Sequence, residues 1–385
     1  MKLLKGFIKW FLIALIIFNV GVLVTGNAHL YKALSRTYFI GRTGPSIDDY
    51  SAFENRDVKT GTPQPWPFAA DYNKTPLKDA DKKYHESIGT VAYLVIHNDS
   101  IVHESYWDGY GENSYSNSFS VAKSVVSMLV GCAIGDGLIK DENEPAVKYL
   151  PEFKETLGDK ITIRHLLTMS SGIGFDESYG NPFGMMAKAY YGKGVKELVG
   201  DYKPATEPGK QFDYMGGNTL LLGFIVEKVT GKKLGEYASE KIWQPIGAQN
   251  PAKWTIDTKD GDERSYCCFY TNARDFARLG KLYKDSGRWN GKQLIPQEFV
   301  LNSVKPASDL MDGNQPLKIY GYQWWCMNYQ NRPLFYARGI KGQYILVDYA
   351  TNTIVVRLGH RREGKSIDGH PSETFRCLEM AEYLK

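Results

Sequence analysis

Two β-rich runs, TVAYLVIH (Thr90 to His97) and IVHESYW (Ile101 to Trp107), flank the polar break Asn98-Asp99-Ser100. That pattern predicts a hairpin. Ser120 to Ile134 (SVAKSVVSMLVGCAI) is apolar at nearly every position and predicts a helix buried almost all round. A second helix is expected from Asn218 to Val229, with Gly231 just past its end, and a third from Thr271 to Ser286, closed by Gly287. Strand-like runs return at Gln343 to Ala350 and Asn352 to Gly359, and Ser372 to Leu384 reads as a final helix. Strands at both ends with helices between predict an α/β or α+β fold whose terminal strands share one sheet, with a mainly helical insertion. No internal repeat or low-complexity tract interrupts this pattern.

The N-terminus follows a different pattern. Lys2, Lys5 and Lys9 precede an uncharged stretch from Trp10 to Tyr31, most apolar in WFLIALIIFNVGVLV, Trp10 to Val24. A basic start before an apolar run is the mark of a signal-anchor or a secretory signal. Spanning a bilayer takes about 20 mostly apolar residues, more than this core supplies unless Thr25 to Leu30 contributes. An uncleaved anchor is the first reading; a cleaved signal ending at Gly26-Asn27-Ala28 is the second. Either places the remainder in the cell envelope, membrane-anchored or periplasmic. The chain then divides into a leader (1–28), a linking or wrapping segment (29–80) marked by GTPQPWP, and a catalytic unit (81–385).

Composition narrows the classes. With 385 residues, 43% of them hydrophobic and 13% aromatic, the chain is neither a disulfide-stapled mini-protein nor a disordered one. A net charge of +4 with no dense basic run gives no footprint for a nucleic-acid partner. The five cysteines (Cys132, Cys267, Cys268, Cys326, Cys377) form no Cys-x-x-Cys or Cys/His cluster, so neither a zinc site nor a disulfide framework is indicated. Which of them pair, if any, the spacing does not specify.

Candidate chemistry lies on the most apolar internal helix. Its only polar side chains, Ser120, Lys123, Ser124 and Ser127, fall on one face at 3.6 residues per turn. Burial disfavours an ammonium, and a neutral amine one turn from a serine hydroxyl can act as its general base. A serine at the helix start also has free backbone N–H groups nearby. This is the arrangement of an activated serine nucleophile; the competing reading is a serine cap beside a snorkelling lysine. Tyr214, after the turn Pro208-Gly209 and before an apolar helix, can supply a phenol for proton transfer.

Those residues carry a resemblance. SFSVAKS (Ser118 to Ser124), TIRHLLTMSSGIGFDE (Thr162 to Glu177), the Tyr214 segment, TNARDFARLGKLYKDSGRWNGKQLI (Thr271 to Ile295), YGYQWW (Tyr320 to Trp325) and ARGIKGQYILVD (Ala337 to Asp348) follow in the order found in the serine β-lactamase and penicillin-binding-protein-like superfamily. The chain is most similar to its class C β-lactamase and esterase side, in particular to 6-aminohexanoate-dimer hydrolase-like members. The resemblance implies an antiparallel sheet flanked by helices, in the β-lactamase/transpeptidase manner. It also implies catalysis by Ser120 as nucleophile, Lys123 as proton acceptor and Tyr214 as proton shuttle. Substrate-binding and oxyanion positions carry over to Arg338, Gly339, Gly342, Gln343 and Asn218. The family's Tyr-x-Asn reads Tyr214-Met215-Gly216 here, which leaves Asn218 either as a substitute or as a helix cap. The family's Lys-Thr-Gly or His-x-Gly falls at Ala337-Arg338-Gly339, with Lys341 as a competing cation.

The expected activity is cleavage of a small-molecule amide or ester through a Ser120 acyl-enzyme, with no metal or organic cofactor and with membrane association through the N-terminal segment. The altered motifs suit a neutral amide or ester better than a β-lactam or D-Ala carboxylate. The alternatives are a D-alanyl-D-alanine carboxypeptidase or β-lactamase, and a non-catalytic envelope-binding protein of the same fold. His165, Asp176 and Glu177 read as capping or pocket-bordering residues, and Arg274, Asp275 and Arg278 as a structural helix face. Gly-x-Ser-x-Gly, His-Glu-x-x-His and Walker A patterns are absent from the sequence. Oligomeric state and physiological substrate are left open.

Overall fold

The computed structural model describes residues 2–385. Six strands build its main sheet: β1 (Thr90–His97), β2 (Ser100–Tyr106), β3 (Trp325–Tyr329), β4 (Arg332–Gly339), β5 (Gln343–Asp348) and β6 (Thr353–Gly359). They lie in the order β3-β4-β5-β6-β1-β2, with every neighbouring pair antiparallel. The N-terminal hairpin therefore pairs with the last strand, Val95 opposite Val355, as the terminal strand runs predict. Asn98 and Asp99 join β1 to β2 with φ of 48° and 59°, the left-handed pair that a two-residue hairpin turn requires.

Five helices matter for the site: α1 (Lys2–Val24), α2 (Val121–Gly135), α3 (Gly216–Thr230), α4 (Ala273–Lys284) and α5 (Ser372–Leu384). Both faces of the sheet are covered, which is why its strands are apolar almost throughout. Leu94, Ile96, Ile345, Val347, Ile354 and Val356 point to the side of α4, into the same core as Phe276 and Ala277. Their alternates Tyr93, Val95, Leu346 and Val355 meet Cys377, Leu378 and Ala381 of α5 on the other side. At Gly280, α4 comes so close to the sheet that a Cβ would stand 2.9 Å from the Ile345 methyl. The opposite end of the core holds α2, packed against α3.

Segment 29–80 is more ordered than its composition suggests. It contains the helix His29–Arg36 and a strand, Asn55–Val58, that pairs with Ala252–Thr255. Phe269–Thr271 and Ser116–Asn117 complete this smaller antiparallel sheet. Ile47, Val58 and Trp66 are buried in the main core, so the segment wraps the domain and contributes to it. Strands this short leave almost no periodic signal in sequence. The helical face of Arg274, Asp275 and Arg278 is structural. Asp275 and Arg278 form a buried ion pair at 2.9 Å, and Asp275 also accepts the backbone N–H groups of Gln249 and Asn250.

Helix α1 begins well before the apolar core at Trp10. Its 23 residues extend about 35 Å at ~1.5 Å per residue, against a hydrocarbon layer of ~30 Å. Among the described residues it is the one helix long and apolar enough to cross a membrane. Its side chains Phe7, Trp10, Phe11, Ile17 and Phe18 are all more than half exposed.

Three buried histidines give the fold a pH dependence. Burial pushes His85 down to about 3, helped by the nearby Arg357, and pushes His103 and His370 down to about 4. The unfolded chain takes up these protons near the ordinary value of 6.5 while the folded chain does not. Their contribution is therefore whole above that pH and is lost as pH falls toward 4. Each removes up to about 1.4 kcal/mol per pH unit. Thermal unfolding in detergent should show a lower midpoint at pH 5 than at pH 7; an unchanged midpoint would contradict neutral burial.

Candidate active site

Ser120 stands at the N-cap of α2, where the chain enters the helix through an unusual turn. Phe119 has φ of 44°, a left-handed conformation that costs a bulky residue about 1–3 kcal/mol and needs outside support. Support comes from Asn117, whose Oδ1 accepts the Phe119 N–H at 2.9 Å. Ser118 adds to it by donating its N–H to Phe269 O at 2.8 Å and accepting the Phe269 N–H on Oγ at 3.2 Å. The small sheet thus fixes the turn, and Ser120 faces a cavity of about 420 Å³.

The polar stripe of α2 divides by function. Ser124 Oγ donates to Gln323 O at 2.6 Å and Ser127 Oγ to Tyr322 O at 2.8 Å, so these two tether the YGYQWW segment to the helix. Lys123, only 1% exposed, turns the other way. Its Nζ donates to Ser120 Oγ at 3.2 Å and to Tyr266 O at 3.0 Å. Neither partner is a carboxylate. The Tyr214 and Tyr266 rings close over it, with centroids 5.0 and 5.5 Å from Nζ. Such a lysine has its donors aligned toward a hydroxyl in a low-dielectric surround.

Tyr214 sits half-buried on the loop before α3, its ring 5.7 Å from that of Trp325 and 5.9 Å from that of Tyr320. Arg338 covers Trp325, its guanidinium 4.6 Å from the ring centre, so Trp325 lies against both Arg338 and Tyr214. At the end of β4, Gly339 passes directly against the peptide before the serine turn. A Cβ there would lie 2.2 Å from Ser118 O. Gly339→Ala must push strand and turn apart, an overpacking cost of about 1–3 kcal/mol. A falling unfolding midpoint is expected in calorimetry; an unchanged one would contradict the close approach.

The residues after Gly339 occupy different places. Ile340 lines the cavity with Ser120. Gly342 turns at φ of 86° and gives its carbonyl to Arg357 Nη1 at 2.8 Å, while Lys341 O accepts the same group at 2.9 Å. Gln343 is fully buried, its Nε2 donating to Ile340 O and Gly359 O and its Oε1 accepting the Gly359 N–H. Burial pushes Lys341 below the ordinary lysine value. Asn218 is also fully buried. It lies within the first turn of α3, accepting Ser171 Oγ on its Oδ1 and facing Met169 Sδ at 3.4 Å.

Other polar residues serve the framework. Glu177 accepts the Gly216 N–H at 2.7 Å, closing the start of α3. Asp176 accepts the Ser178 N–H, and His165 completes a capping box with Thr162. Three features of the site went unread in the sequence. The Tyr266 carbonyl holds Lys123 through backbone alone, and Ile340 is an ordinary apolar residue. Cys267 and Cys268, adjacent in sequence, are joined to each other as a disulfide beside that carbonyl. Only the Cys-Cys pair gave any signal. Among the described residues no group of His, Cys, Asp and Glu is placed to hold a metal ion.

Comparison with known proteins gives the family and the fold. A family model described as Beta-lactamase matches residues 77–371. The chain belongs to the β-lactamase family. Among curated β-lactamase-fold relatives, it is similar to the 6-aminohexanoate-dimer hydrolase of Paenarthrobacter ureafaciens, 28% identical over 80% of this chain and 82% of that one. Among solved structures, a Bacillus anthracis protein provisionally assigned as a 6-aminohexanoate-dimer hydrolase superposes with a TM-score of 0.71. It is 23% identical and covers 88% of this chain and 92% of its own. A family VIII carboxylesterase superposes at 0.63, with 17% identity, 83% of this chain and 99% of that one covered. The antiparallel sheet flanked by helices is thus the β-lactamase/transpeptidase fold, and the chain stands among its serine hydrolases.

Proposed function

We propose that this protein hydrolyses an amide or ester bond through an acyl-enzyme on Ser120. The observation that carries the reading is the 3.2 Å contact between Lys123 Nζ and Ser120 Oγ, in a pocket where the amine has no carboxylate partner. Lys123 takes the hydroxyl proton as Oγ attacks the substrate carbonyl. Ser120 and Ile340 both line the cavity, and their backbone N–H groups are the candidates to receive the developing oxyanion. Tyr214, facing the same amine, passes the proton to the leaving oxygen or nitrogen. Water then cleaves the acyl-enzyme by the reverse relay.

The substrate class follows from what is missing. Gly216 stands where the Tyr-x-Asn motif of the wider family carries its Asn, Asn218 is buried, and Arg338 lies against Trp325. This supports a neutral amide or ester over a carboxylate-bearing β-lactam. Helix α1, with Lys5 and Lys9 near its start, supports anchoring to a membrane with the hydrolase unit on the outer side.

A substrate screen tests the reading. p-Nitrophenyl esters or short amide oligomers should turn over faster than a chromogenic cephalosporin. Rapid cephalosporin hydrolysis with inert esters and amides would overturn the substrate class.

A further inference from the structure

The cavity at Ser120 is walled partly by the segment that follows α1. Ala33, Thr37, Tyr38 and Pro45 line it together with Met186, Tyr190 and Ile340. The walls are mostly apolar, and Ser120 supplies a reactive polar group at one side. A cavity of about 420 Å³ falls within the ~300–1,000 Å³ of pockets that enclose a small organic ligand.

The mouth of this cavity is apolar as well. Tyr38, Tyr179 and Pro182 line it, and Phe39 and Ile40, which follow Tyr38, and Phe183, which follows Pro182, are more than half exposed, as are the two tyrosines. Large exposed apolar side chains gathered at one rim mark a surface made for contact. The rim is also tied to the apolar helix. Tyr31 donates its hydroxyl to Asn19 Oδ1 of α1 at 2.5 Å, and His29 Nε2 meets Pro182 O at 2.8 Å across the rim. When α1 spans a bilayer, this rim lies at its outer end, at the depth where aromatic side chains gather in membrane proteins.

We infer that the substrate is a membrane-resident amphiphile whose ester- or amide-linked acyl chain enters the cavity from the bilayer surface. This rests on the acyl-enzyme reading above. Ser120 Oγ bonds to the acyl carbon, and the bond from that carbon to the headgroup oxygen or nitrogen breaks. The headgroup leaves as an alcohol or amine with the serine's proton, and water releases the chain as a carboxylate. A short soluble substrate would leave most of the apolar wall in contact with water, whereas each buried methylene adds binding.

The test uses the full chain in detergent with p-nitrophenyl acetate and octanoate, and in vesicles of phosphatidylcholine and phosphatidylglycerol carrying 4-methylumbelliferyl palmitate. The expected kcat/KM for octanoate exceeds that for acetate by about tenfold or more. Ala187→Trp, which fills the cavity, should lower that ratio below one. Phe39→Ser with Ile40→Ser should slow vesicle hydrolysis at least ~5-fold while acetate turnover stays unchanged, since neither side chain lines the cavity. Acetate turned over as well as octanoate, or vesicle hydrolysis untouched by the rim substitutions, would overturn the inference and leave the acyl-enzyme standing. No turnover of any ester, with no fluorophosphonate labelling of the folded protein, would remove both.

Discussion

Ser120→Ala is expected to abolish hydrolysis, lowering kcat by at least ~10³-fold, and to leave the unfolding midpoint nearly unchanged. The expectation follows from how little Ser120 does for the fold. The turn that carries it is held by Asn117, Ser118 and Phe269. The Ser120 side chain caps no helical N–H, and its hydroxyl contacts Lys123 at 3.2 Å. Steady-state kinetics on the best ester or amide from the screen, beside a thermal melt, reads both quantities. Activity within about tenfold of wild type would assign the chemistry elsewhere.

The second large effect is expected at Lys123. Lys123→Met keeps the length and apolar stem of the side chain between Tyr214 and Tyr266 but removes the amine that reaches Ser120 Oγ and Tyr266 O. Loss of a positioned general base costs about 10²–10⁴ in rate. The stability change is expected to be small. The Tyr266 carbonyl loses a donor, worth about 1–3 kcal/mol, but a buried polar amine is removed at the same time. The loss should fall on kcat rather than KM, because Nζ reaches the Ser120 hydroxyl and the Tyr266 carbonyl while Lys123 itself is not part of the cavity lining that binds substrate. A raised KM with normal kcat would make Lys123 a binding residue.

Much of this was legible in the sequence where one residue type carried one physical constraint. Helix α2 was, because an apolar run with a single polar stripe has few explanations, and the hairpin was, because Asn-Asp between two β-rich runs sets its turn. The stripe itself was only half readable. Ser120 lines the cavity with Lys123 against its hydroxyl, while Ser124 and Ser127 bind backbone at Gln323 and Tyr322, nearly two hundred residues away in sequence. The family resemblance offered Gly342 and Gln343 as oxyanion positions. Arg357 turns that segment by gathering the carbonyls of Lys341 and Gly342, and this leaves Ile340 on the cavity wall. No local pattern announces such a long-range contact. The small sheet was unreadable because its strands are too short for periodicity, and the Tyr266 carbonyl because backbone groups have no sequence signature.

Family membership establishes the fold and hydrolase class at 28% identity to the Paenarthrobacter enzyme, and the particular bond cleaved depends on a few side chains around the cavity. The central claim is that Ser120 forms the covalent intermediate. Labelling the folded full-length protein with a fluorophosphonate, followed by mass spectrometry of its peptides, tests it most directly. A single adduct on Ser120, absent from Ser120→Ala and much slower to form in Lys123→Met, is the predicted result. An adduct on another residue, or none on the folded wild-type protein, would contradict it.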